Sequence, residues 1–312
     1  MKIVFMGTPD YAVSSLEALI REGHCVEAVF AQPDKPVGRK QILTPPPVKV
    51  CAEKYNIPVF QPVTLKDGEA FKTLKEINPD VIVVVAYGKL LPEEILNLPK
   101  YGCVNGHASL LPKYRGASPI QWCIVCGETE TGVTTMLMDK GMDTGDILKV
   151  SKVKIGETET AEQLFDRLCV VTAELLVDTL TGLEKGEITP IKQNENEATY
   201  APIIKKEMAL IDFNKSAKEV FNSVRGYYSW PCAYFYLNGK RIKAIEAKIG
   251  KPCNAEIGTV IDTSDSLAIA CGDNVSIEFT VLQPEGSKIM TAKQFFCGNK
   301  IELGTKAGDN NG

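Results

Sequence analysis

Only two of the 312 residues are histidine, His24 and His107. That scarcity narrows the chemistry, because histidine is the commonest metal ligand and the usual general base near neutral pH. Cys123-Ile-Val-Cys126 has redox spacing, yet no second cysteine pair and no histidine stands at zinc-site distance from it. The motif also falls inside an expected helix rather than at its start, so buried thiols are the plainer reading. The longest unbroken apolar run, Val81 to Tyr87, is far too short to cross a bilayer. Met1 to Met6 reads as a first strand, with no apolar leader or cleavage site. A formal net charge of −4 does not mark a nucleic-acid binder by bulk electrostatics. No internal repeat is visible.

What is present points to a globular chain long enough for two domains, with 44% hydrophobic and 24% charged residues. Ten scattered cysteines fit free thiols in a reducing cytoplasm. Charge is unevenly spread: residues 207–312 hold 12 basic and 12 acidic side chains, so the acidic excess lies before them.

Lys2 to Met6 is an expected buried strand, Tyr11 to Glu22 a helix and Cys25 to Ala31 a second strand. The inner face of that helix is read as Val13, Leu16, Leu19 and Ile20. Strand, helix, strand is a βαβ unit, which predicts a doubly wound, mainly parallel α/β sheet. Its first turn carries the single Gly7 rather than Gly-x-Gly-x-x-Gly, so the dinucleotide fingerprint is missing. Asp80 to Ala86 is a continuous β-branched run, as expected at the centre of a parallel sheet. It ends in Tyr87-Gly88-Lys89-Leu90-Leu91, a loop at the carboxyl edge. Residues 32–48 read as a long loop with Pro33, Pro36 and Pro45 to Pro47 at its ends and Gly38-Arg39-Lys40 at its tip. Such a loop is functional or mobile, and a solvated surface loop is an equal alternative.

The most informative stretch is Gly102 to Pro119. In an extended strand Asn105 and His107 point to the same face, and the strand runs straight into Ala108-Ser109-Leu110-Leu111-Pro112. Open α/β sheets place ligand sites at this edge. Asn supplies an amide donor for a developing oxyanion and His a proton acceptor; a hydrogen-bonded core histidine is the bland alternative. A partner carboxylate is then required. Met138 to Ile147 offers three aspartates; its spacing fails the calcium-loop pattern, which leaves either an acidic hairpin connection or the missing partner.

Ala161 to Leu180 is an expected long helix, and residues 190–206 a polar linker. A helix over about 216–226 and some five short strands follow, which suggests a small β-barrel of the oligonucleotide-binding type. The expected organisation is therefore 1–189, a linker 190–206, and 207–312. Lys240, Arg241 and Lys243 form a basic cluster in the last part, suited to phosphate contact or to plain solvation.

Gly7-Thr-Pro9, Asn105-x-His107, Ser109-Leu-Leu-Pro112, Arg115-Gly116 and Met142-Asp-Thr-Gly-Asp146 together resemble the folate-dependent formyltransferases, in particular the branch acting on charged initiator tRNA. The likeness runs on through the 32–49 insertion and through Tyr200-Ala to Trp230-Pro231. It implies a Rossmann-like catalytic domain and a C-terminal barrel that helps hold tRNA. It also implies 10-formyltetrahydrofolate as formyl donor and no metal. Carried over residue by residue, the catalytic Asn, His and Asp fall on Asn105, His107 and Asp143, with Asp143 holding the imidazole and favouring its charged form. The folate contacts fall on Ser109, Leu110, Leu111 and Pro112, with Tyr87, Gly88 and Leu91 beside them. Arg39, Lys40, Lys240, Arg241 and Lys243 are the expected tRNA contacts. Gly106 departs from the bulky residue expected between Asn and His, so a looser strand is anticipated there. A cytoplasmic monomer of bacterial type with no membrane partner is expected. A sister enzyme acting on a small amine, and a non-catalytic RNA-binding protein, remain as alternatives.

Overall fold

The computed structural model describes residues 1–38 and 40–308. The chain divides into two compact units: Met1–Pro119, Glu130–Lys154 and Phe165–Ala201 form the first; Ile120–Thr129, Ile155–Leu164 and the described residues from Pro202 on form the second.

In the first unit, β1 (Lys2–Gly7), α1 (Asp10–Arg21) and β2 (Cys25–Phe30) make the anticipated βαβ start. Next come β3 (Lys35–Val37), β4 (Ile42–Thr44), α2 (Pro47–Lys54), β5 (Val59–Phe60) and α3 (Glu69–Ile77). Then follow β6 (Val81–Val85), α4 (Glu93–Leu96), β7 (Cys103–His107), α5 (Pro119–Val125), β8 (Glu130–Leu137), β9 (Asp146–Lys154) and α6 (Ala161–Lys185); of these, α5 after Pro119 and the first turn of α6 count with the second unit. The main sheet has the order β5-β2-β1-β6-β7-β8-β9. β5 through β7 are parallel; β8 and β9 are antiparallel additions on the β7 side. β6 (Val-Ile-Val-Val-Val) is buried at every position, which is why it shows no polar alternation.

The chain winds outward from β1 to β2 and β5, then returns to β6 on the other side of β1. This reversal opens a crevice at the carboxyl ends of β1 and β6. Hydrogen bonds tie the loops beside it together. Thr8 Oγ1 and Gln32 Nε2 both donate to the Tyr87 carbonyl, at 3.1 and 3.0 Å.

Two readings need correction. α1 buries Tyr11, Ala12, Ser15, Leu16, Ala18 and Leu19, whereas Val13 and Ile20 are only half-buried. Small residues let the helix lie close to the sheet, and a Cβ on Gly7 would stand 2.8 Å from that of Ala12. The 32–48 loop contains secondary structure, since β3 and β4 pair as an antiparallel hairpin. Three-residue strands, one containing Pro36, leave no alternation to read.

The anticipated looseness at Gly106 is also absent. β7 is paired on both sides and buried throughout. A Cβ at Gly106 would come within 2.8 Å of Thr172 Cγ2 and 3.3 Å of Leu176 Cδ1, so the missing side chain is the space that α6 fills. Thr172 is held in turn by the Tyr11 hydroxyl at 2.6 Å.

The second unit contains α7 (Ala217–Gly226), opened by a capping box between Ser216 and Glu219. Its strands are β10 (Tyr234–Leu237), β11 (Lys240–Pro252), β12 (Val260–Asp262), β13 (Leu267–Ala270) and β14 (Val275–Pro284). Then come β15 (Met290–Thr291), α8 (Ala292–Gly298) and β16 (Ala307–Gly308). The antiparallel order is β12-β13-β14-β11-β10-β16, with β15 also on β14. Irregularities at Ala244/Glu246 and Ile249/Pro252 interrupt the β11–β14 register. Such bulges bend a strand, and the sheet curls as a half-barrel over Phe213, Phe235 and Phe279. Among the described residues no helix is long and apolar enough to cross a membrane.

The packing at Gly106 gives a test. Gly106→Ala should destabilise the protein by about 1–3 kcal/mol through overpacking, read from its urea midpoint. Adding Thr172→Ser, which keeps the hydroxyl and deletes the crowding methyl, should recover part of that loss.

Candidate active site

Asn105 and His107 sit two apart on β7, so the strand's two-residue period turns both side chains to one face. Asp143 comes from the connection between β8 and β9. The structure brings the three together: Asn105 Nδ2 lies 3.5 Å from Asp143 Oδ1, and His107 Nδ1 lies 3.7 Å from Asp143 Oδ2. The first is a long hydrogen bond, which leaves the amide free to donate to a better acceptor. The second is an ion-pair distance rather than a hydrogen bond. Asp143 Oδ2 accepts instead from the Gly116 backbone N–H at 2.8 Å, which aims the carboxylate.

The other imidazole nitrogen decides the tautomer. His107 Nε2 is 2.9 Å from the Tyr114 carbonyl oxygen. A carbonyl can only accept, so Nε2 carries the hydrogen and neutral His107 keeps its lone pair on Nδ1. That lone pair faces Asp143. Once Nδ1 takes a proton, the imidazolium already has a carboxylate within reach. The expectation that Asp143 holds the ring directly thus needs amending: the Tyr114 carbonyl orients it, and Asp143 stands ready for the charged form.

The loop after β7 is fixed from beneath. Thr134, opposite His107 in the β7–β8 register, donates to the Ser109 carbonyl at 2.7 Å and accepts from the Leu111 N–H at 3.1 Å. Ser109 is fully buried and its hydroxyl donates to the Lys113 carbonyl at 2.6 Å. Leu111 is buried, whereas Leu110 and Pro112 are half-exposed. In the loop after neighbouring β6, Tyr87 and Leu91 are buried in an apolar core with Met6 and Phe30. Burial pushes the Tyr87 hydroxyl up to about 12. Only its carbonyl and the exposed Gly88 reach the edge.

Backbone strain gathers at this edge. Ala86, Tyr114 and Asp143 have φ of 47°, 59° and 55°, a region that side-chain-bearing residues seldom adopt and that clusters at functional sites.

Arg115 is fully buried, although its partner Glu195 is 68% exposed. Its guanidinium donates to both Glu195 oxygens at 2.8 Å and, from Nε and Nη2, to Gln193 Oε1 at 3.0 and 2.8 Å. The bidentate pair holds the Glu195 carboxyl below its ordinary range. That hold is complete above the ordinary glutamate value and is lost as pH falls through the lowered one. Gln193 Nε2 donates onward to the carbonyls of Asp143 and Gly145 at 2.8 and 2.7 Å. Gln193 gave no signal in sequence, because its bonds join residues about fifty positions apart.

Lys40 is exposed on the β3–β4 hairpin, and Arg39 lies outside the described residues. The hairpin's base is pinned where Lys49 Nζ meets both Asp34 oxygens at 3.0 Å and Gln61 at 2.9 Å. In the second unit, Arg241 and Lys243 alternate with buried Ile242 and Ala244, so those two share the outer face of β11; Lys240, of the opposite parity, is exposed at the start of the strand. Across from them on β10 stand Tyr236 and Tyr234. Arg241 lies 5.8 Å over the Tyr234 ring. No group of three or more metal-ligating side chains occurs among the described residues.

Residues 1–180 match the family model described as "Formyl transferase", and residues 203–300 match "Formyl transferase, C-terminal domain". The chain belongs to the formyltransferase family. It is 48% identical over 302 residues to the methionyl-tRNA formyltransferase of Thermodesulfovibrio yellowstonii, covering 97% of each chain. To that of Lachnospira eligens it is 48% identical over 316 residues, covering 99% of this chain and 100% of the other. The sugar 3N-formyltransferase WlaRD, solved in the presence of dTDP and 5-N-formyl-THF, has the same fold. Its TM-score is 0.68 at 20% identity, with 92% of this chain and 99% of that one covered.

The tautomer is directly observable. With two histidines in the chain, the 15N spectrum of the imidazoles should show neutral His107 as Nε2–H with an unprotonated Nδ1. The reverse assignment would remove Nδ1 as the base.

Proposed function

We propose that the protein transfers the formyl group of 10-formyltetrahydrofolate to the α-amine of methionyl initiator tRNA in the bacterial cytoplasm. The observation that carries the reading is the Asn105–His107–Asp143 cluster, with an imidazole lone pair facing a carboxylate, in a chain nearly half identical to full-length relatives of that name.

Bound folate would supply the formyl carbon as the electrophile. Asn105 Nδ2 donates to the formyl oxygen as it gains charge during addition of the amine. His107 Nδ1 removes the proton from the amine nitrogen as the new C–N bond forms, and Asp143 balances the imidazolium. The same imidazolium returns the proton to N10 of the folate as the C–N10 bond breaks, so His107 ends neutral and no covalent enzyme intermediate is needed. An α-amine with a pKa of about 8 has a useful neutral fraction at pH 7. Loop 109–112, with Gly88 and the Tyr87 carbonyl beside it, would receive the folate. In this reading Tyr87 and Leu91 shape the wall from within the core rather than touch the ligand.

Two regions would hold the tRNA. Arg39 and Lys40 on the insertion are suited to its acceptor end, because a guanidinium bonds phosphate or a base edge in bidentate fashion. Lys240, Arg241 and Lys243, beside two tyrosines, have the basic and aromatic character of a phosphate-tracking surface.

The test is a radiolabelled formyl-transfer assay that compares charged initiator tRNA with small amines, including amino-sugar nucleotides. Transfer to the charged tRNA alone is expected, and a preference for a small amine would overturn the assignment. His107→Ala and Asp143→Ala should each lose roughly 10²–10⁴ in turnover with tRNA affinity retained. An Arg241→Ala/Lys243→Ala double variant should raise KM for tRNA and flatten its log–log salt dependence by about one to two. Turnover at saturating tRNA should persist in that variant.

A further inference from the structure

The polar segment 191–201, which reads as a linker, is bonded along its length to the first unit. Ile191 exchanges backbone hydrogen bonds with Ile147 at 2.7 and 2.9 Å. Gln193 holds the carbonyls of Asp143 and Gly145. Thr199 Oγ1 accepts from the Tyr114 N–H at 2.8 Å, while the Thr199 carbonyl accepts from the Arg115 N–H at 2.8 Å. The Ala201 N–H then donates to the Arg115 carbonyl at 2.7 Å.

The two ends of this strap meet the two neighbours of His107. Asp143 faces Nδ1, and Gln193 holds its backbone; the Tyr114 carbonyl engages Nε2, and Thr199 holds that residue's N–H. Both neighbours lie on loops with left-handed backbone, a conformation that persists only when the surroundings over-determine it. Between the two ends, buried Arg115 grips Gln193 and Glu195, so the strap is anchored at its middle.

We propose that Gln193 and Thr199 are positioning residues for the base: the strap sets the tautomer and reach of His107 by holding the backbones of Asp143 and Tyr114 at once. Arg115 is the rivet of this device. The inference rests on formyl transfer as the reaction but not on the identity of the amine.

The test uses the full-length protein with three variants. Thr199→Val removes the hydroxyl acceptor at nearly constant shape, Thr199→Ser restores it, and Gln193→Met removes both the Oε1 acceptor and the Nε2 donor of the amide. Thr199 is exposed, so its variants leave the core untouched. Thr199→Val and Gln193→Met should each lower kcat roughly 10- to 100-fold, the scale of a misplaced catalytic group, with KM for both substrates little changed. Thr199→Ser should return kcat to near wild type. In the 15N spectrum of the free protein, Thr199→Val should raise the Nδ1–H tautomer of His107 at the expense of Nε2–H.

Wild-type kcat in folded Thr199→Val and Gln193→Met would overturn the proposal and reduce the strap to a stabilising connection. A fall in kcat for Thr199→Val with an unchanged His107 spectrum, or no rescue by Thr199→Ser, would overturn it as well. A wild-type protein that fails to formylate methionyl-tRNA would instead overturn the assigned substrate. The tautomer measurement needs no substrate and would stand.

Discussion

The hydrogen bond from His107 Nε2 to the Tyr114 carbonyl fixes the proton pattern of the imidazole at the sheet edge. A carbonyl has no proton to give, so this one contact selects the tautomer and turns the lone pair of Nδ1 toward Asp143. The ring is 7% exposed, and with little water competing such a bond is electrostatically stronger than on the surface. Had a hydroxyl stood at Tyr114's place, it could donate or accept, and the ring would have no unique proton pattern.

That contact depends on backbone held in a costly shape. Left-handed residues cost of order 1–3 kcal/mol each, and Tyr114 is bulkier than the Asn or Asp that usually tolerate the region. Offsetting terms are on the same scale, since a net hydrogen bond contributes about 0.5–1.5 kcal/mol. Tyr114 makes one through its N–H and another through its carbonyl; Asp143 makes one through its carbonyl and one strong one to Gly116. Neither loop would keep its shape alone. Close packing supplies the rest: Gly106 lets α6 press against β7 on the face opposite Asn105 and His107, so the strand that bears them has little room to shift.

The second unit shows a different economy. Its strands carry their apolar residues inward, and the curl of the sheet comes from irregular register in β11 rather than from any special side chain. Its outer face is left to charge and aromatic rings, with Arg241 and Lys243 set across from Tyr236 and Tyr234.

Periodicity and composition alone were enough for the βαβ start, the buried β6, the long α6, the short strands of the second unit and the shared face of Asn105 and His107. Each of these is a local property, because strand and helix periods are written in neighbouring residues. The three-residue strands of the insertion carried no period and were legible only once paired. The partner of His107 was narrowed to one acidic stretch, and Asp143 was singled out by family likeness rather than by physics. The sequence held no trace of the Tyr114 carbonyl, the Thr134 anchor or the hold of Gln193 on Asp143. Those are backbone or hydroxyl contacts between residues far apart in the chain, and every residue has a carbonyl to offer. Only folding decides which carbonyl meets the imidazole, and that choice leaves the lone pair of neutral His107 on Nδ1.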